Sequence, residues 1–299
     1  MNPYIILVIQ LLLSGCNYII ANDATQTIPP ANLTFLRTLI SGVVYVLYMF
    51  YAELPFRYKG RDLKLLLFLS LVSVSLNQFG FLYGIKFTTA TEAALLYALT
   101  PIFVMLLSRT YLNEKITMGK TMGTIMAFAG VAVIVLSKGS IGGNGFQIGM
   151  SHIKGDAFIF MAVMAWAVYT TLGRKLVIRH GAINSTVFTA LIGTVMFAPI
   201  GIWSSIGYKY TSLSSGQWME VLYLALGTSI AGYVLWYYAL SKIEASKVAV
   251  FTNGQPVITA ILAYIFLKQG ITLTFAFGAL VTIGGVIITQ INSRVRHPG

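Results

Sequence analysis

Along the chain, long apolar runs alternate with short polar or Gly/Pro-containing breaks. They fall near 4–22, 31–52, 63–86, 90–111, 117–137, 155–176, 184–205, 216–241, 245–267 and 271–292. A helix needs about 20 apolar residues to cross the hydrocarbon core of a bilayer, and each run has that reach. Open strands cannot satisfy their backbone groups in lipid, and barrel strands would be shorter and alternating. The pattern therefore predicts an all-α integral membrane protein with ten transmembrane helices.

Composition supports lipid as the solvent. The chain is 57% hydrophobic and 9% charged, whereas a soluble domain carries about 25% charged residues. Ten helices leave only short loops, so no sizeable soluble domain fits. The net charge of +12 would suggest nucleic acid in a soluble protein. Here the bases sit between apolar segments, so topology is the preferred reading and no nucleic-acid partner is expected. Fourteen Lys and Arg fall on one side of the ten spans, five on the other, with Arg37 inside a span. The positive-inside rule then places both termini in the cytoplasm. A bacterial inner membrane is the expected location.

Cys16 is the single cysteine, which excludes an internal disulfide, and His152, His180 and His297 lack metal-ligand spacing. No metal or other cofactor is expected. Leu13-Ser14-Gly15-Cys16 resembles a lipoprotein processing box. No Lys or Arg precedes it, however, and apolar sequence continues to Ala21. A first membrane helix with small packing residues is preferred.

An internal repeat is visible at an offset of 155 positions. It aligns Tyr83 with Tyr238, Ala90 with Ala245, Ala94 with Ala249 and Pro101 with Pro256. It also aligns Ile116-Thr117 with Ile271-Thr272, Gly123 with Gly278, and Gly130-Val131 with Gly285-Val286. Chance would supply some Ala or Ile matches more readily than both prolines and both glycines together. The chain reads as two five-helix halves, 1–150 and 151–299, forming one membrane domain. An odd number of spans per half inverts one half relative to the other. That arrangement is common in transporters, with the solute near the midplane between the repeats.

At this point the sequence resembles a known family. Ala93-Ala94-Leu95-Leu96-Tyr97-Ala98-Leu99-Thr100-Pro101, then Leu112-Asn113-Glu114-Lys115-Ile116-Thr117 and Gly123, look like the fourth and fifth helices of the drug/metabolite transporter superfamily, EamA type. The resemblance covers the whole chain. It departs in the second half, where Gln269 stands at the position of a commonly repeated glutamate. Membership implies export or exchange of small solutes such as amino acids, with the bilayer and the solute as partners. A monomer is expected, a dimer being the alternative.

Candidate pathway residues follow from the cost of polar groups in a membrane. Ala94, Tyr97, Ala98 and Pro101 share one face of helix four, and Ala249, Thr252, Asn253 and Pro256 share the matching face of helix nine. Pro101 and Pro256 are expected as hinges, since proline frees a backbone carbonyl. Asn253 is expected to touch the solute, with Tyr97 and Trp236 nearby. Tyr233, Trp236 and Tyr238 of helix eight, Tyr83 and Asn77 of helix three, Asn17 of helix one and Trp166 of helix six complete the candidate lining. Gln78, Phe81, Ser14, Tyr18 and Thr170 stand near them. Plain helix packing or an interfacial aromatic belt is the competing reading. Arg37 lies about two turns into the second span and either snorkels to the interface or serves as a carboxylate-binding or gating cation. Glu92 suits a helix N-terminus, whereas Lys247 does not. The Gly119/Gly123 pair suits close helix contact within one monomer rather than dimerisation.

A secondary transporter is the favoured function. A membrane-embedded enzyme, a structural membrane protein and a channel are the alternatives. All eight acids fall in loops or near span ends, no His is intramembrane, and no selectivity-filter-like loop or nucleotide-binding glycine loop is present. No catalytic residues are assigned.

Overall fold

The computed structural model describes residues 2–88, 90–141, 150–258, 261 and 273–291. Asn144, Lys268, Gln269, Arg294, Arg296 and His297 lie outside these residues, and the side chains of Glu92, Lys138 and His152 lie outside the described ones. Ten helical spans are seen among the described residues. They are α1 (Pro3–Thr27), α2 (Pro30–Tyr51), α3 (Gly60–Ile85), α4 (Ala90–Tyr97 and Thr100–Tyr111), α5 (Met118–Ile141), α6 (Met150–His180), α7 (Ala182–Ser205), α8 (Ser215–Lys242), α9 (from Ala245–Val250 through Phe251–Gly254) and α10 (Leu273–Ile291). Seven are long and apolar enough to cross a membrane, and the apolar stretches Leu95–Tyr111 and Met118–Ile134 are shorter.

Local chemistry sets the ends. Asn2 caps α1 through its side-chain oxygen, which accepts from the Tyr4 N–H at 2.9 Å, and Pro3 and Pro30 occupy first-turn positions where no N–H is needed. Ser214 and Gln217 form a reciprocal capping box on α8. The first helix continues beyond its expected end at residue 22. Polar groups at this end find partners, Asn22 donating to the Ile85 carbonyl at 3.3 Å and Thr25 to the Asn22 carbonyl at 3.0 Å. Helix α6 runs on to His180 and stops where Gly181 takes φ +85°, a conformation that costs glycine little.

Four spans are irregular, in corresponding pairs. Helix α3 turns π-helical over Val72–Gln78 and α8 over Tyr223–Gly232. Helix α4 is interrupted at Ala98 and Leu99, ahead of Pro101, while α9 tightens to a 3₁₀ turn over Phe251–Gly254, ahead of Pro256. A proline ring clashes with the carbonyl four residues earlier and withholds a donor, so each helix yields on the N-terminal side of its proline.

Helices α5 and α10 cross through glycines. A Cβ on Gly123 would stand 2.6 Å from the Gly285 carbonyl oxygen, and one on Gly130 2.6 Å from that of Gly278. Each glycine thus faces the repeat-equivalent of the other, and the glycines serve contact within one chain. Large apolar side chains such as Leu47, Phe50, Val195, Trp203 and Leu280 are exposed on the flanks, as lipid solvation requires.

The interior is unusually aromatic. Trp236, Tyr169 and Tyr237 are fully buried. Tyr169 stacks on Tyr237 with ring centres 4.7 Å apart, and Trp166 stacks on Tyr169 at 5.6 Å. Of the four aromatics within six residues of α8, Trp236 and Tyr237 are covered by a facing aromatic ladder on α6, while Tyr233 and Tyr238 stay partly exposed.

Candidate functional site

A cavity of about 90 Å³ lies in the middle of the bundle. Its wall draws on α1 (Gln10, Ser14, Asn17, Tyr18), α2 (Arg37), α3 (Asn77, Gln78, Phe81), α4 (Tyr97), α6 (Trp166), α8 (Thr228, Gly232, Tyr233) and α9 (Thr252, Gln255). Both irregular pairs contribute. The π-helical stretch of α8 carries Thr228 and Gly232, that of α3 carries Asn77 and Gln78, and the break in α9 carries Thr252. A π turn shifts the register of the helix face and is often found at functional sites.

Hydrogen bonds stitch the halves together around this cavity. Asn77 donates to the Tyr97 hydroxyl at 3.2 Å and to the Ala162 carbonyl at 2.9 Å, and accepts from Tyr233 at 3.1 Å. Tyr18 donates to Gln255 at 3.3 Å. Tyr18, Phe81 and Tyr97 pack edge to face, with ring planes 86–90° apart, and Tyr233 meets Trp166 edge-on. Such edge-to-face contacts add about 0.5–1.5 kcal/mol each and hold the rings in place.

Arg37 does not snorkel. The residue is 3% exposed and its guanidinium turns inward. Nε donates to the Ser229 hydroxyl at 3.0 Å, and Nη2 donates to Ser229 at 2.9 Å and Thr228 at 2.8 Å. The π-helical stretch of α8 turns two successive hydroxyl residues toward the arginine.

Of the expected lining, Asn17, Arg37, Asn77, Tyr97, Trp166, Tyr233 and Thr252 border the cavity. The structure does not place Trp236, Asn253, Tyr83 or Tyr238 there. Trp236 sits behind the wall, fully buried, its indole N–H donating to Thr170 at 3.1 Å and its ring 5.2 Å from Trp166. Asn253 is fully buried and neither amide atom has a partner among the described residues. The 3₁₀ turn aims Thr252 at the cavity and Asn253 away from it. Tyr83 packs on Phe158 at 4.4 Å, below Lys154, and Tyr238 carries Lys242 over its ring. Gln10, Thr228, Gly232 and Gln255 border the cavity without having been singled out. The signal available was the general one, polar side chains deep within apolar runs.

A second cluster closes the face that carries the N-terminus. Asn113 adopts φ +54°, tolerable for a short polar side chain, and the turn sends Glu114 beneath α9. The buried Glu114 carboxylate accepts from the backbone N–H of Ala245 at 2.8 Å and Ser246 at 3.2 Å, and from the Ser246 hydroxyl at 2.6 Å. Arg174 lies 3.3 Å and Lys120 3.9 Å from the carboxylate. Lys120 and Lys247 also reach Glu244, at 3.1 and 3.6 Å, so Lys247 is neutralised locally despite its place at a helix start.

A polytopic helical membrane protein with a cavity of polar side chains and aromatic rings at the meeting point of broken and π-helical spans is the class these features define. The EamA-like transporter family model matches residues 1–136 and again 153–291. The chain belongs to that family and is an integral membrane protein. It is similar to the uncharacterized transporter YetK of Bacillus subtilis (strain 168), with 29% identity over 98% of this chain and 88% of the relative. An uncharacterized transporter of Archaeoglobus fulgidus is also 29% identical, over 96% of this chain and 97% of its own. One solved crystal structure superposes with a TM-score of 0.79 at 18% identity, covering 99% of both chains, a likeness of fold.

Proposed function

We propose that this protein is a secondary transporter, an exporter or exchanger, that moves small metabolites such as amino acids by alternating access. The two halves, 1–150 and 151–299, act as inverted repeats around the central cavity. Both termini lie in the cytoplasm of a bacterial inner membrane, and the chain works as a monomer. The observation that carries this reading is the cavity itself. It combines polar side chains with aromatic rings, lies at mid-bundle, and is walled by spans whose helical geometry is interrupted in matching pairs. Interrupted helices near the midplane are where transporters present backbone and side-chain polar groups to a solute.

Several further features support it. The α5 and α10 glycine crossing is the contact that a two-fold axis in the membrane plane would create. The breaks before Pro101 and Pro256 are positions at which half-helices can tilt, which supports the proposed hinge role of these prolines. The Glu114 cluster is a closure at one face. At about 90 Å³ the cavity suits a compact solute rather than a drug-sized one, whose pockets run to about 300–1,000 Å³. Among the described residues its wall offers amides, hydroxyls, rings and one guanidinium, but no carboxylate, imidazole or thiol. That inventory fits binding and release better than bond-making chemistry.

The test is counterflow in proteoliposomes holding the purified full chain. Vesicles are preloaded with amino acids or other small metabolites, with and without a pH gradient. Protein-dependent accumulation of labelled solute, recovered chemically unchanged, is expected. Absence of exchange for solutes of every charge class, or recovery of a protein-dependent product, refutes the reading.

A further inference from the structure

We infer that Arg37 is the anion anchor of the central cavity and that the transported solute is a compact carboxylate, an organic acid or the carboxylate end of an amino acid. This rests on the reading of the cavity as a solute site.

The charge balance around Arg37 is the starting point. A buried cation is costly unless paired. Each other described cation that is nearly as buried has a carboxylate. Lys120, at 3% exposure, has Glu244 and Glu114. Arg37 has none among the described residues. Its partners are the neutral hydroxyls of Thr228 and Ser229, and these are themselves committed. Thr228 donates to the Leu224 carbonyl at 2.6 Å, and Ser229 points toward Gln78. Hydroxyls orient a guanidinium but do not neutralise it.

The donor inventory points the same way. A guanidinium has five N–H donors in a rigid fork. Nε and Nη2 account for the three hydrogen bonds found. Among the described residues nothing accepts from Nη1, and Arg37 borders the cavity. The α8 hydroxyls therefore hold one edge of the fork and leave the other edge for a ligand. A carboxylate oxygen is the acceptor that supplies both the charge and the planar geometry that arginine selects.

The remainder of the wall accommodates the rest of such a solute. The Tyr18, Phe81 and Tyr97 rings and the Trp166/Tyr233 pair give a compact apolar body a surface to pack on. Their faces can also receive an α-ammonium group. Among the described residues no acidic side chain competes for Arg37 from the wall.

The experiment compares acids with their own amides, which differ in charge and little in size. Purified full chain in proteoliposomes is assayed by counterflow competition. The probes are L-alanine, L-serine and L-lactate against alaninamide, serinamide and lactamide, with glycerol and choline as uncharged and cationic controls. The acids are expected to compete about 10- to 100-fold better than the amides, the range for a hydrogen bond to a charged group. In Arg37→Gln this ratio should collapse to about one by the loss of that interaction. Arg37→Lys should retain part of it, since the charge stays and the fork is lost. Amides that compete as well as acids in the wild-type protein overturn the assignment, and this needs no variant to fold. Exchange confined to glycerol or choline also overturns it, while leaving the transport reading intact. So does a stable Arg37→Gln protein that keeps the acid preference. Absence of exchange for all probes of every class removes the transport reading and the inference with it.

Discussion

Replacing Glu114 by alanine should unfasten the start of α9. The first N–H groups of any helix lack intrahelical acceptors. In α9 the N-cap residue, Glu244, makes no side-chain cap hydrogen bond. The cap comes instead from Glu114 on the α4–α5 turn, which takes the Ala245 and Ser246 N–H groups and the Ser246 hydroxyl. Breaking a buried charge pair costs about 3–5 kcal/mol. The cations left behind retain other acceptors. Arg174 also donates to the Leu240 carbonyl at 3.3 Å, and Lys120 reaches Glu244 and the Lys115 carbonyl, each at 3.1 Å. The loss should therefore sit near the low end, about 3 kcal/mol, which raises the local opening constant about 100-fold. Hydrogen exchange followed by mass spectrometry reads this directly. Peptides covering residues 241–250 should exchange faster in Glu114→Ala, with α2 and α7 peptides unchanged. Glu114→Gln should be intermediate, since one amide oxygen still accepts. A folded Glu114→Ala protein with wild-type exchange over residues 241–250 would refute the cap.

Three other outcomes are expected. Gly123→Ala should lower the melting temperature of the solubilised protein, because its Cβ would meet backbone atoms at 2.6–2.7 Å that cannot rotate away. Overpacking costs about 1–3 kcal/mol, and a wild-type melting temperature would show that α5 and α10 separate easily. Asn253→Leu should hold or raise the melting temperature, since it removes a fully buried amide with no partner among the described residues, and, because that side chain points away from the cavity, should leave counterflow unchanged. A clear loss of stability would mean that the amide bonds within the bundle, and lost counterflow in a stable variant would return Asn253 to the pathway. With Cys16 replaced by serine, impermeant thiol labelling of intact cells should modify Asn144→Cys and spare Lys59→Cys. The reverse pattern would invert the proposed orientation.

Local sequence determined the helical architecture. An apolar run long enough to span lipid has no alternative to a helix, and ten such runs appear as ten spans. The prolines marked where α4 and α9 yield, because that clash is a property of the ring and its own helix. The glycines marked a close helix contact on α5, but not that α10 is its partner. What remained hidden depended on neighbours distant in sequence. The inward turn of Arg37 needs Thr228 and Ser229, about 190 positions away. The burial of Trp236 needs Thr170 and the ladder on α6. Thr252 and Asn253 are adjacent and equally polar, and only the 3₁₀ turn decides which one meets the cavity. Glu114 reads as an ordinary loop acid until the fold brings the start of α9 within hydrogen-bond reach. In a membrane the composition of a segment dictates that it is a helix, because the backbone must satisfy itself. The direction in which each polar side chain points is set by the partner that best offsets its desolvation, and only the assembled bundle supplies that partner.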